Sequence, residues 1–364
     1  MMSMRSVVCC IVACFVLLQG ELYAQTSYPE IKKVYEHVDG TLSLDGYMQA
    51  LKEMDARANQ LVSGIDDAQE RGRATLLWHT YQRENIFRFW QAVGGQPADL
   101  KKLHPCQLSM DPDVPELELL SPEELKEVLD WYFRVNKSAA SYVRMKECLY
   151  GIKSEKVRQT YAFGLLEREL QVNGVSKDLV PVFEVFRCCM KNRKIVERVN
   201  ELEKMYTPVR ENAPAPEIVL PDDKGNTFRL TDFQEKCVFI CVWALDSVNG
   251  ADELDTFAEA KKVNEKWGEA GIVFVNIAVG AGEDIGKWRK ILTEKKQTEW
   301  MINLFCDKTK SAFVKDYVIG VLPRYIFVEI DGVLRSGWFI SPANPSLFKQ
   351  VFTRNLFMYK RVGI

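Results

Sequence analysis

The sequence predicts an all-α N-terminal part followed by an α/β C-terminal part with a central mixed sheet flanked by helices. Apolar residues recur with helical spacing from Thr41 to Tyr206. Beyond Pro216, apolar and β-branched runs alternate with helical stretches, which indicates a sheet with helix-covered faces. A proline-rich stretch separates the two patterns. We therefore expect a leader at 1–24, a helical domain at 25–206, a linker at 207–216 and an α/β domain at 217–364.

The N-terminal residues have the pattern of a secretory signal peptide. Arg5 precedes a short apolar run from Val7 to Leu18, and Ala24 supplies a small residue at the expected cleavage site. The run is shorter than the about 20 apolar residues that span a membrane, and no later segment is longer and equally apolar. The sequence therefore predicts a periplasmic or secreted protein without a stable membrane span. The alternative is a lipoprotein that is lipidated at Cys14.

The composition argues against several classes of partner. The apolar fraction of 47% and the charged fraction of 27% are those of an ordinary globular protein. The net charge is −2 and the two signs are interspersed, so nothing predicts binding to nucleic acid or to an anionic surface. His104 and Cys106 are close in sequence, but no second pair of ligands accompanies them, so we expect no metal site. We expect no cofactor, and the oligomeric state stays open.

The cysteines do not form a redox motif. No two of them have Cys-x-x-Cys spacing. Cys237 and Cys241 lie on a predicted strand at a separation of about 13 Å, beyond the about 7 Å of a disulfide. We predict that these two and Cys306 pack in the core, and that Cys106 is the most exposed thiol. The number of cysteines after the leader is odd, and which of them pair stays open: Cys106, Cys148, Cys188, Cys189, Cys237, Cys241 and Cys306.

The helical part contains clear start and stop signals. The segment 121–124, Ser-Pro-Glu-Glu, is a capping box with proline at the first helical position. Gly174 predicts the end of a helix, and a further helix is expected over 176–206, broken at Pro181. Two apolar helix faces have i, i+3, i+4, i+7 spacing: Ile86, Phe89, Trp90 and Val93, and Leu125, Val128, Leu129 and Tyr132.

The α/β part contains three nearly continuous apolar runs, which are typical of strands that are buried on both faces. They are Val238–Leu245, Ile272–Val279 and Arg324–Ile330. Helices are expected at Ala251–Gly268, Glu283–Lys296 and Ser311–Tyr317.

Four segments of this part occur in a characteristic order. Residues 215–230 look like an opening hairpin, 238–250 like a strand that enters a polar turn, 320–328 like a segment that holds a cis-proline, and 331–334 like a hairpin turn. In this order and spacing they resemble the TlpA/ResA branch of the thioredoxin superfamily, the extracytoplasmic thiol:disulfide oxidoreductases. The resemblance implies a thioredoxin-like fold with Pro323 as its cis-proline.

The chain departs from that family at the reactive residues. The resemblance places Ser247 and Gly250 where family members carry their two cysteines. A helix N-terminus favours the thiolate of the first cysteine, which attacks the disulfide of a client. A serine hydroxyl cannot form that mixed disulfide, and glycine offers no resolving atom. The related peroxiredoxins also need a cysteine in this region. We therefore predict no catalytic residue at this degenerate motif.

The resulting hypothesis is a redox-inactive thioredoxin-like module that binds an envelope protein or peptide client. By resemblance, the client would contact Trp243, Asp246, Leu322 and Pro323. One alternative is a thiol:disulfide oxidoreductase that uses a relocated cysteine pair, and another is a fold with a structural role alone, in which Pro323 only shapes the turn before a buried strand.

A hydrolytic site at Asp246, Ser247 and Asp252 is disfavoured. A serine nucleophile needs an adjacent base, and no histidine follows His104 in the sequence. Asp246, Ser247 and Asn249 are expected instead to cap the helix that follows them.

Overall fold

The computed structural model describes residues 29–37, 39–93, 111–135, 140–247, 254–256, 260–262, 265, 272–294 and 300–351. The predictions for the leader, for His104 and Cys106, and for Gly250 lie outside the described residues. The chain divides into two compact units, Met1–Leu166 with Cys189–Lys191 and Glu167–Cys188 with Asn192–Ile364. The second unit thus includes helical residues as well as the α/β part, and the domain bounds given above stay a prediction.

The first unit is helical, as predicted. It contains α1 (Pro29–Val34), α2 (Leu44–Ser63), α3 (Ala68–Ala92), α4 (Pro122–Val135), α5 (Ser141–Gly151) and the start of α6 (Glu155–Asn173). The predicted capping box begins α4: the carboxylate of Glu124 accepts from the Ser121 backbone N–H at 2.9 Å, and Ser121 Oγ accepts from the Glu124 N–H at 3.3 Å. Tyr47 of α2 stacks on Phe89 of α3 with a centroid distance of 3.7 Å, and both are buried.

Helices α7 (Val180–Cys189) and α8 (Arg193–Tyr206) follow α6. Gly174 ends α6 in the left-handed region at φ +67, with its N–H donating to the Leu170 carbonyl, which confirms the predicted stop. The predicted break at Pro181 is wrong. Proline stands in the first turn of α7, where no N–H donor is needed, and the break falls instead at 190–192. Asn192 begins α8 by accepting from the Lys194 N–H at 3.1 Å.

The α/β part contains the predicted mixed sheet, with strand order β5-β4-β3-β6-β7. Strands β3 (Cys237–Ala244), β4 (Ile272–Gly280) and β5 (Ile302–Asp307) are parallel, and β6 (Arg324–Val328) and β7 (Leu334–Ser336) are antiparallel to their neighbours. A hairpin of β1 (Val219–Pro221) and β2 (Thr227–Arg229) precedes them. Helices α9 (Ile285–Glu294) and α10 (Phe313–Asp316) confirm two predicted helices, whereas Ala251–Gly268 lies largely outside the described residues.

Side chains of β3 alternate between two apolar clusters, one on each face of the sheet. Phe239, Cys241 and Trp243 belong to one cluster, and Ile240 and Val242 belong to the other. All are buried, which confirms that this strand is covered on both faces. The predicted burial of Cys237, Cys241 and Cys306 is also confirmed.

Both outer edges of the sheet are met by other segments of the chain. Asp222, just after β1, forms an isolated bridge with Leu304 of β5. At the opposite edge Pro214 bridges Val333, and the Asn212 N–H donates to the Leu334 carbonyl at 2.8 Å. No described helix combines the length and the apolar character needed to cross a membrane.

Candidate functional site

The strand topology brings the ends of several strands together at one end of the sheet. Because β3, β4 and β5 are parallel, their carboxyl ends meet at the same edge, and antiparallel β6 begins there. Val242 lies opposite Arg324 in the register, so the turn after β3 and the residues before β6 leave the sheet side by side. We call this region, formed by 245–247, 308 and 320–323, the strand-end edge. It brings together the two segments that the sequence predicted to face a client.

The turn after β3 is polar and exposed. Asp246 and Ser247 are both exposed, and Asp246 Oδ2 accepts from Lys308 Nζ at 2.7 Å. This hydrogen bond holds the pKa of the Asp246 carboxyl below its ordinary value and raises the pKa of Lys308. Lys287 Nζ donates to the Leu245 carbonyl at 3.3 Å. The turn is thus fixed by lysines from two other segments. The predicted capping role of Asp246 stays a prediction, since most of the helix lies outside the described residues.

The segment before β6 supplies an exposed apolar surface. The Leu322–Pro323 peptide bond is cis, as the resemblance implies. Pro323 is exposed, Val321 is 48% exposed and Leu322 is half-buried against the core. The strand-end edge therefore combines an exposed ion pair and a serine hydroxyl with exposed aliphatic side chains, which can contact a peptide.

Trp243 has a different position from the other predicted binding residues. Its side chain is buried, and its Nε1 donates to Asn276 Oδ1 of β4 at 2.8 Å. Asn276 Nδ2 in turn donates to Asn303 Oδ1 of β5 at 2.8 Å. This buried chain of polar groups crosses three strands and fixes the indole beneath the end of β3. Trp243 thus supports the turn from inside the core.

The described thiols of the sheet are all buried. Burial raises the pKa of Cys237 to about 11 and also raises the pKa of Cys306. Cys241 is buried in the same cluster as Cys237, whereas Cys306 belongs to the cluster on the opposite face. The thiolate is the reactive form, and raised pKa values disfavour it at neutral pH. Within the described part of the chain, the strand-end edge presents no exposed cysteine.

Sequence reasoning missed several residues that shape this site. Lys308 and Lys287 follow strands or lie on helices far from Asp246 in sequence, and only the fold brings them to the turn. Arg324, the residue after Pro323, is 4% exposed and was expected only as part of a strand. An arginine within an otherwise apolar run was the signal that could have drawn attention to it.

A comparison with protein families gives a match to the AhpC/TSA family over residues 212–340. This confirms the predicted resemblance to thioredoxin-like proteins for the C-terminal part. No curated protein matches the chain. The thioredoxin-like fold of this part rests on the family match and on the strand order of the sheet.

Solved structures give further matches. A thioredoxin-like protein from Bacteroides caccae has 12% identity and a TM-score of 0.46, and the match covers 80% of this chain and 95% of that one. The thioredoxin domain of a thiol-disulfide oxidoreductase from Bacteroides vulgatus has 19% identity, a TM-score of 0.33, and coverage of 39% and 98%. A thiol:disulfide interchange protein from Bacteroides sp. has 19% identity, a TM-score of 0.33, and coverage of 39% and 90%.

Proposed function

Taking the AhpC/TSA match of residues 212–340 as the premise, we propose that this chain is a redox-inactive thioredoxin-like module that binds an unfolded or extended polypeptide outside the cytoplasm. The proposed contact surface is the strand-end edge. The observation that carries the proposal is that the exposed Ser247 follows the end of β3, while the exposed Val321 and Pro323 precede β6, the strand that pairs with β3. In this proposal the surface meets the client, and by resemblance Ser247 supplies an alcohol where family members carry a thiol.

The chemistry of the edge supports binding without exchange. An alcohol does not ionise at neutral pH and cannot form a mixed disulfide. Val321 and Pro323 offer apolar area that a client can cover, and the burial of this area favours a complex only by what exceeds the entropic cost of association. The exposed ion pair of Asp246 and Lys308 would add orientation and salt dependence more than affinity.

The alternative is a thiol:disulfide oxidoreductase with a relocated cysteine pair. The raised pKa values of Cys237 and Cys306 argue against it among the described thiols, as does the placement of Cys306 on the other face of the sheet from Cys237 and Cys241. We also propose that a signal peptide directs the chain to the periplasm or out of the cell, with a lipoprotein lipidated at Cys14 as the alternative. Mass spectrometry of the exported chain would identify its first residue and so test this proposal.

Binding can be tested with a client that contains no thiol and no disulfide. Fluorescently labelled, reduced and carboxymethylated α-lactalbumin is a permanently unfolded polypeptide of this kind. We expect the mature chain to raise its fluorescence anisotropy, and Val321→Asp to weaken the affinity about fivefold, since a half-exposed valine is worth about 1 kcal/mol when covered. With dithiothreitol as the reductant, the same preparation should not speed the reduction of insulin disulfides.

Val219→Asp is the matched control. Val219 of β1 is 46% exposed, close to the 48% of Val321, but it lies outside the strand-end edge. Equal losses of affinity in the two variants would reject the proposed surface. Turnover of insulin disulfides at the rate of an active thioredoxin would favour the oxidoreductase instead.

A further inference from the structure

We propose that Arg324, Trp338 and Tyr206 form a relay through which helices α6 and α8 set the conformation of the loop 320–323, so that Arg324 is a positioning residue for client binding. This inference rests on the proposed function of that loop. All the residues involved belong to the second compact unit. The relay is a chain of direct contacts from two helices to the loop.

The first link is a set of hydrogen bonds from Arg324 to the backbone near the loop. Arg324 follows the loop, and its Nη1 and Nη2 donate to the carbonyls of Val318 and Tyr317, each at 3.4 Å. Val318 adopts φ +50, a left-handed conformation that is an outlier for a β-branched residue. Arg324 Nε also donates to the Gly337 carbonyl. The guanidinium of the residue that follows the loop therefore also anchors the segment just before the loop and restrains the strained Val318.

The second link is the contact of Arg324 with Trp338. The guanidinium carbon lies 3.2 Å from the Trp338 ring centroid, so the cation rests on the ring face. Arg324 is 4% exposed, and the described residues supply it with carbonyls and this ring but no carboxylate. A buried cation without an anion depends on such neighbours, so movement of the ring would move the guanidinium. Burial lowers the pKa of Arg324 to about 9, which leaves it charged at neutral pH.

The third link fixes Trp338 to the helices. Its Nε1 donates to the Gln171 carbonyl, near the end of α6, at 3.0 Å. Tyr206, the last residue of α8, stacks on it with a centroid distance of 5.8 Å and an interplanar angle of 23°. The ring also packs directly on Gly174, where a Cβ atom would lie 2.2 Å from it. The ends of α6 and α8 thus determine where the ring can lie.

Hydrogen exchange of the full mature chain tests the relay without any client. The Ile319 N–H donates to the Val314 carbonyl at 2.8 Å, so its exchange reports on the anchored end of the loop. We expect Tyr206→Ala and Trp338→Leu to speed exchange of the peptide 314–324 by up to about tenfold, since one aromatic stack is worth about 0.5–1.5 kcal/mol. Tyr206→Phe keeps the ring and should restore the slow exchange.

Val199→Ala is the control for general destabilisation. Val199 is fully buried on the same helix, two turns before Tyr206. If Val199→Ala speeds exchange of this peptide as much as Tyr206→Ala does, or if Tyr206→Ala leaves exchange unchanged, the relay is rejected. If the exchange pattern is as expected but carboxymethylated α-lactalbumin does not bind the wild-type chain, the relay stands and the proposed function fails. If the probe binds equally well to wild type and Tyr206→Ala, the link from relay to affinity is rejected.

Discussion

At the scale of single residues, the buried ion pair of Arg73 and Glu124 holds two helices of the first unit together. Arg73 Nη2 lies 2.7 Å from Glu124 Oε1, and both side chains are 6% exposed. Glu124 also accepts the Ser121 N–H and so begins α4. One carboxylate therefore neutralises a buried cation and satisfies a helix start. Removal of its charge would leave the arginine buried beside a weaker partner.

We expect Glu124→Gln to destabilise the first unit by about 3–5 kcal/mol, the usual result of breaking a buried pair from one side. Urea denaturation followed by circular dichroism would measure it. Glu127→Gln is the control on the same helix. Glu127 pairs with Lys32 but is 42% exposed, so its loss should cost less than about 1 kcal/mol. Equal midpoints for the two variants would contradict the structural role of Glu124.

Individual residues also show where sequence reasoning stops. Trp243 was identified from the strand-to-turn pattern, and its location at the end of β3 is confirmed. Its partner Asn276 could not be identified, because the pairing depends on the parallel register of β3 with β4 across 33 residues of sequence. The sequence shows an asparagine within an apolar run, but only the three-dimensional structure identifies its hydrogen-bond partner.

At the scale of elements, Gly174 combines two requirements at one helix end. Its φ of +67 disfavours any side chain, and a Cβ atom there would lie 2.2 Å from Trp338. Gly225 has a φ of +90 but nothing within 4 Å of its Cβ position. Substitution of the two glycines can therefore distinguish the loss of stability caused by backbone strain from the loss caused by a steric clash.

We expect Gly225→Ala to cost about 1 kcal/mol, the backbone term alone, and Gly174→Ala to cost at least about 2 kcal/mol. The difference should appear as a lower thermal midpoint for Gly174→Ala in differential scanning calorimetry. Similar midpoints for both variants would mean that Trp338 moves away without cost. That result would also weaken the third link of the proposed relay.

The elements were predictable where one local signal determined them. The apolar runs of β3, β4 and β6 and the capping box of α4 are examples, and each is confirmed. Strand β5 was not among the three predicted runs, since Asn303 interrupts its apolar residues. The break at Pro181 was predicted wrongly because proline is compatible with a first helical turn, and the break before Asn192 was missed because the residues that precede it are largely apolar and resemble a continuing helix. For Pro181 and Asn192 alike, what the residue signals depends on where it stands relative to a helix end.

At the scale of the molecule, the described thiols fall into accessible and inaccessible groups. Cys188 on α7 is exposed, which the sequence did not indicate. Cys148, Cys237 and Cys306 are buried. Burial raises the pKa of Cys148 to about 12 and that of Cys237 to about 11. Among the described thiols, the exposed Cys188 and the half-buried Cys189 thus lie on a helix, whereas the thiols of the sheet strands are buried.

Alkylation with iodoacetamide at pH 8 would measure this difference. We expect Cys188 to react at least about 100-fold faster than Cys148 and Cys237, because the raised pKa values alone reduce the thiolate fraction by that factor. Peptide mass spectrometry would give the rates, and guanidinium chloride should abolish the difference. Rapid modification of Cys237 or Cys306 in the folded chain would restore the oxidoreductase alternative.

The closed edges of the sheet have a consequence for self-association. An exposed edge strand is a template for another chain and a route to aggregation or fibre growth. Here Asp222 forms a bridge with Leu304 of β5 on one side, and the segment around Pro214 bonds to Val333 and Leu334 on the other, so each edge is partly covered by the chain itself. This partial cover disfavours extension of the sheet from one molecule to the next, and it favours approach of an extended polypeptide at the ends of the strands over approach at their sides.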